Sequence, residues 1–162
     1  MSQTTQPDHR IVVGVDGSPC SEGALRWAIT QAQETGAGVE AIAAWQNPVN
    51  AGYSLGFMPA LDSDVDWATL TEKVLRESVA RAVKELQPGV QIVTRVVQGH
   101  PAQVLLDAAA SAQLLVLGSR GHGTLAGMLL GSVSQHCVQH APCPVVVVRG
   151  DHPAQTAETV QA

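Results

Sequence analysis

The chain reads as an α/β domain built on one open, five-stranded parallel sheet with helices on both faces. Three observations predict it. Short, β-branched apolar runs alternate with segments of helical period along the chain, and right-handed βαβ crossovers turn that alternation into a parallel sheet wrapped on both sides. The runs are apolar at successive positions, as strands covered by helices on two faces must be. At 162 residues, 45% of them hydrophobic, the chain can bury one core without metals or disulfides.

Residues 1–9 form a polar leader, expected to be flexible. Arg10 to Asp16 then sets Ile11, Val12, Val13 and Val15 around one glycine, which suits a central strand. Gly17-Ser18-Pro19 stops it and opens a helix, with Ser18 as N-cap and Pro19 at the first helical position. Leu25, Ala28, Ile29 and Ala32 recur at helical spacing, and Gly36 is placed to cap the end. Val39 to Trp45 is the second strand, ended by Asn47-Pro48. The stretch 46–67 carries Gly52, Gly56 and Pro59 with little periodicity and reads as a lid or a variable insertion.

Leu75, Val79, Ala82, Val83 and Leu86 make an apolar stripe, so a helix spans Thr69 to Leu86 and closes at Pro88-Gly89. Val90 to Val97 reads as the third strand. Gly99-His100-Pro101 turns the chain into a helix marked by Leu105, Ala108, Ala109 and Ala112. Leu114 to Leu117 is the fourth strand. A helix follows from Gly131-Ser132 to Ala141, and a last strand of four valines, Val145 to Val148, is entered between Pro142 and Pro144. The polar tail, 150–162, is expected to be disordered.

Nine Lys and Arg against fourteen Asp and Glu leave a net charge of −5. That balance argues against a general nucleic-acid binder, which must neutralise phosphates. No apolar run approaches the ~20 residues of a membrane span, and Met1 to His9 lacks the apolar centre of a signal peptide. The expectation is a cytoplasmic protein with no membrane partner. Cys20, Cys137 and Cys143 are an odd, unpatterned set, so reduced thiols are expected.

The stretch from Gly118 to Ser134 concentrates the chemistry. It is strand, glycine-rich loop and helix start in that order, which builds an anion pocket from backbone amides. Ser132 with Gln135 three positions on has a capping-box pattern. A phosphate at this helix start would meet free N–H groups and the positive end of the helix dipole. No Lys follows a glycine here, so this is no Walker A loop, and the spacing is not Gly-x-Gly-x-x-Gly. Ligands of open α/β sheets bind beyond the carboxyl ends of strands where strand order reverses. Asp16 ends the first strand and Gly118 the fourth, so adjacency of those strands would bring both to one crevice.

Gly118, Gly121, Gly131 and Ser132 together read Gly-x2-Gly-x9-Gly-Ser, which resembles the ATP-binding signature of the universal stress protein family. The resemblance covers Arg10 to Arg149 and implies sheet order 3-2-1-4-5 in a Rossmann-like, adenine nucleotide α-hydrolase-like fold. It implies an adenine nucleotide as ligand: ATP, with or without Mg2+, or else AMP or cyclic AMP. Gly14, Val15 and Asp16 match the family's contact to the adenosine part. Ala44 falls where the second strand offers backbone to adenine. Gly118, Ser119, Arg120, Gly121 and His122 in the loop, with Gly131, Ser132, Val133 and Ser134 at the helix start, complete the implied set. Family members commonly dimerise through the last strand, so a homodimer through Val145–Val148 is implied too.

Plainer roles compete at several positions. Asp16 before Gly17-Ser18 suits a turn or a cap, the glycines suit close packing, Ser132 suits a cap, and Arg120 and His122 suit a solvated surface. His136 and His140 are four apart, with Cys137 between and Cys143 nearby. On helix geometry that grouping admits a metal, but position 137 is Cys where a zincin needs Glu, and no metal site is assigned.

The loop has neither a P-loop Lys nor a second carboxylate beside it. The expected activity is therefore nucleotide binding with at most slow hydrolysis, in a stress-response regulator. The alternatives are an adenylate-transferring enzyme of the same superfamily, against which Gly14-Val15-Asp16-Gly17-Ser18 lacks paired glycines before Asp, and a nucleotide-free dimeric scaffold.

Overall fold

The computed structural model describes residues 8–47, 65–122 and 129–150. The leader through residue 7, most of the 46–67 stretch and the tail after Gly150 lie outside the described residues. Five strands, β1 (Asp8–Gly14), β2 (Gly38–Trp45), β3 (Ile92–Gln98), β4 (Ala112–Gly118) and β5 (Val145–Val148), form one parallel sheet in the order β3-β2-β1-β4-β5. Four helices accompany it among the described residues: α1 (Pro19–Thr35), α2 (Trp67–Leu86), α3 (Pro101–Ala109) and α4 (Ser132–His140). The predicted class and strand order are those observed.

Because side chains alternate along a strand, each central strand feeds two cores. Ile11, Val13, Val39, Ala41 and Val116 pack with Leu25 and Ile29 of α1 and Leu75 of α2. Val12, Ile42, Leu115 and Leu117 pack on the opposite face with Leu105 and Ala108 of α3 and Cys137 of α4. Leu25, Ile29, Leu75 and Leu115 are wholly buried, and each such side chain stabilises the fold by about 1.5 to 3 kcal/mol relative to exposure.

The helix ends obey local chemistry. Ser18 caps α1, accepting from the Ser21 amide, with Pro19 opening the helix and Gly36 closing it in the left-handed region. Asp66 caps α2, and its carboxyl is held below the usual range by hydrogen bonds from the Thr69 hydroxyl and amide. At the other end of α2 the cap is Gln87, at φ 44°, rather than Pro88-Gly89. Pro88 disfavours a right-handed helical residue before it and so ends the helix, while Gln87 takes the left-handed conformation common at helix ends, its amide reaching the Val83 carbonyl at 2.8 Å.

Several boundaries differ from the sequence expectation. β1 begins at Asp8, inside the expected leader, and β3 begins at Ile92 rather than Val90. Ala112, assigned to the helical stripe of α3, is instead the first residue of β4. An alanine is small and apolar enough to be buried in either element, so periodicity alone misplaced it. β2 also carries Glu40, a buried carboxylate that ion-pairs with Arg10 at 2.6 Å and Arg95 at 2.9 Å. Among the described residues no helix is long and apolar enough to cross a membrane.

Candidate functional site

β1 pairs in parallel with both β2 and β4, so its carboxyl end is where strand order reverses. Above it opens a crevice of about 290 Å³. Gly14, Val15 and Asp16 form one side, and Ile42 and Ala44 continue it from β2. Leu117, Gly118, Arg120, Gly121 and His122 enter from β4 and its loop, and Gly131, Ser132, Val133 and Ser134 from the start of α4. Pro101 and Leu105 of α3 complete the wall. The chain thus brings together every residue the sequence assigned to the site except Ser119.

Ser119 is buried and turned away. Its hydroxyl lies 3.8 Å from the Cys20 sulfur, its amide donates to the Val148 carbonyl at 2.8 Å, and its own carbonyl accepts from the Gly131 amide at 2.7 Å. Ser119 therefore ties both ends of the loop to the sheet. Ser134 also acts inward, donating its hydroxyl to the Gly118 carbonyl at 2.6 Å. That bond commits the hydroxyl of one residue of the implied nucleotide-binding set to the protein's own backbone.

The capping box is not formed. Gly131 is the N-cap of α4, no side chain caps it, and Ser132 is the first helical residue with an exposed side chain. With glycine at the cap position, no side-chain oxygen reaches back to the helix amides. The N–H groups of Ser132, Val133 and Ser134 have no acceptor within the helix. They line the crevice at the positive end of a nine-residue helix.

Asp16 sits opposite. Its Oδ1 accepts from the Ser18 amide at 2.9 Å and from the Ser18 hydroxyl, an Asx turn that positions the N-cap of α1. Oδ2 faces Gly121, where a β-carbon would come within 2.5 Å of it. The turn role and the crevice role thus fall on different oxygens of one carboxylate. Nε2 of His122 meets the Asp16 carbonyl at 2.8 Å, and the Ser18 hydroxyl reaches the Arg120 carbonyl at 3.5 Å, joining the loop to the β1 end.

The glycines have distinct causes. A β-carbon on Gly118 would come within 2.7 Å of the Cys20 carbonyl carbon and 2.8 Å of the Ser21 amide, so Gly118 is glycine to let α1 approach. Gly14 is crowded by Leu105 and Leu117 at 3.0 and 3.1 Å. Gly17 needs its left-handed φ of 80°.

Ile42, Pro101, Leu105 and Leu117 were missed by the sequence reading. Ile42, Leu105 and Leu117 were visible as strand or helix core and Pro101 as the turn into a helix, but only the tertiary arrangement turns them toward the crevice. Together they give the site an apolar wall opposed to a rim of amides, a carboxylate and Arg120. Such a site can hold a flat apolar group at one part and an anion at another. A nucleotide satisfies that donor set: α4 amides for phosphate, the Asp16 carboxylate for a hydroxyl, and an apolar face for a base.

Fold and crevice define a doubly wound α/β protein with a crevice open at the topological switch point. The sequence model of the Universal stress protein family matches residues 9–149, and the chain belongs to that family. A universal stress protein of Mycolicibacterium smegmatis is 36% identical over 139 residues, covering 86% of this chain and 45% of the relative. One from Mycobacterium tuberculosis is 37% identical over 142 residues, covering 86% of this chain and 44% of the relative. The chain spans less than half the length of these curated relatives. Among solved structures, a universal stress protein in complex with cAMP superposes with TM-score 0.61 at 29% identity, covering 88% of this chain and 97% of that one. A universal stress protein from Archaeoglobus fulgidus in complex with dAMP shares the fold, with TM-score 0.61 at 22% identity, covering 86% of this chain and 96% of that one.

Proposed function

We propose that the crevice binds an adenine nucleotide, ATP in the first instance, and that occupancy makes the protein a nucleotide-dependent regulator of a stress response. The observation that carries the reading is the convergence of Asp16, Gly121 and the first-turn amides of α4 on one crevice at the β1–β4 switch point. The phosphates lie against the Ser132, Val133 and Ser134 amides, with Arg120 beside them. The ribose meets Asp16, and the base lies along Ile42, Leu105 and the Ala44 backbone. The cAMP complex of the 29% identical relative supports an adenylate as the ligand class.

Turnover is slow at most. Phosphoryl transfer needs charge stabilisation and a positioned nucleophile at the γ-phosphate, and Asp16 already has one oxygen committed to Ser18. The protein acts as a homodimer in the cytoplasm, pairing through β5, one of the two edge strands of the sheet. Calorimetric titration with ATP, ADP, AMP and cyclic AMP, each with and without Mg2+, tests the assignment. Saturable one-site binding of at least one adenylate, with GTP much weaker, is the expected result. No heat with any of the four contradicts it.

A further inference from the structure

The last turn of α4 carries a second chemical feature, on the side away from the core. His136 and His140 stand one helical turn apart and are both exposed. Their ring centroids are 4.3 Å apart, with the planes inclined by 28°. Cys137, between them in sequence, points the opposite way into the core, its thiol 3.9 Å from the Ala102 carbonyl. The structure therefore removes that cysteine from any grouping with the two imidazoles.

What it supplies instead is an oriented ring. Nδ1 of His140 lies 2.9 Å from the backbone carbonyl of His136. A carbonyl only accepts, so that nitrogen carries the ring proton, and Nε2 of the neutral imidazole presents its lone pair. Ligating histidines are held in this manner, one nitrogen donating to a carbonyl and the other directed at the ion.

We propose that His136 and His140 form a two-imidazole site for a divalent transition ion of the nickel, copper and zinc group. Metal–nitrogen bonds of about 2.0 to 2.1 Å run along the imidazole planes and bring the two nitrogens within about 4 Å of each other; the metal-free rings are stacked with centroids 4.3 Å apart, so the exposed His136 ring turns about its side-chain torsions to share the ion that Nε2 of His140 faces. Imidazole suits these ions, whereas magnesium and calcium prefer oxygen. The pair occupies the carboxyl-terminal end of α4, where the helix dipole favours a cation. Among the described residues no third His, Cys, Asp or Glu completes a cluster, so the remaining positions belong to water or to an added ligand. The site is independent of the nucleotide crevice, which uses the other end of the same helix.

Nickel(II) and zinc(II) are the suitable probes, because copper(II) oxidises thiols and Cys20 and Cys143 are partly exposed. Each ion is titrated calorimetrically into the nucleotide-free full chain at a fixed pH of about 7, since ion binding competes with protons for the ring nitrogens. One ion per chain is expected, with affinity about tenfold or more weaker in His136→Ala and in His140→Ala. Cys143→Ser and His9→Ala should bind as the wild type does. The melting temperature should rise with nickel in the wild type and stay fixed in both histidine variants, whose metal-free melting should match the wild type. Unchanged affinity in both histidine variants, an equal loss in Cys143→Ser, or a nickel-induced rise in melting that survives either histidine substitution overturns the proposal.

Discussion

Gly121 and Asp16 are packed so closely that a β-carbon on the glycine would stand 2.5 Å from Oδ2 of the carboxylate. Within one motif this contact separates two kinds of glycine. Gly118 is crowded by the backbone of Cys20 and Ser21, whereas Gly121 is crowded only by a side chain that can move.

The two alanine variants should therefore behave differently. Gly118→Ala has to push α1 from the sheet and should cost about 1 to 3 kcal/mol of stability, read from the midpoint of urea unfolding. Gly121→Ala lies on an exposed loop position and should unfold close to the wild type, yet displace Asp16 and weaken nucleotide binding by about tenfold or more. Equal stability losses in both would show that the distinction is wrong.

The divided roles of Asp16 give a second test. Asp16→Asn retains an oxygen for the Ser18 amide but removes the charge, so stability should hold while adenylate affinity drops by about 1.5 to 3 kcal/mol, the range for a charge-assisted bond. Asp16→Ala loses the Asx turn as well and should be about 1 kcal/mol less stable than the asparagine variant. If asparagine binds ATP as tightly as aspartate, the carboxylate has no part in the ligand's contacts.

Much of this was legible in the sequence, for identifiable reasons. Ile11 to Val13 and Val145 to Val148 are short, β-branched and bounded by turn residues, which leaves few readings other than strand. The Gly118, Gly121, Gly131 and Ser132 spacing marked the loop through its resemblance to the family signature, although Gly118 itself is a packing glycine against α1. Long-range choices were not legible. Whether Ser119 faces the crevice or Cys20, and whether the Ser134 hydroxyl faces a ligand or the Gly118 carbonyl, depends on how α1 and α4 pack. The missing cap at Ser132 follows from the chain entering α4 at Gly131, a boundary one residue from what the capping pattern suggested.

The thiols predict a pH dependence. Burial raises the Cys137 thiol from 9.0 to about 11 and also raises Cys143, which is less deeply buried. A folded-state value above the unfolded one means that the stability contributed by Cys137 is complete below about pH 9 and is lost as pH rises toward 11. Cys137→Ala should flatten that alkaline decline. In the native protein an aromatic disulfide reagent should titrate Cys20 and Cys143 and reach Cys137 only on unfolding; prompt reaction of all three would contradict the burial.

The edge strand tests the proposed assembly. Val147→Asp places a charge in β5 and should convert a dimer to monomer in sedimentation velocity, with a melting curve showing that the chain remains folded. A dimer that persists in the folded variant would locate the interface elsewhere.

The central claim is that the first turn of α4 cradles a nucleotide's phosphates, and amide NMR during an ATP titration addresses it most directly. The Ser132, Val133 and Ser134 amides should show the largest shifts, saturating together with Gly121, while AMP moves them less. Saturable ATP binding that leaves those three amides unmoved would contradict it.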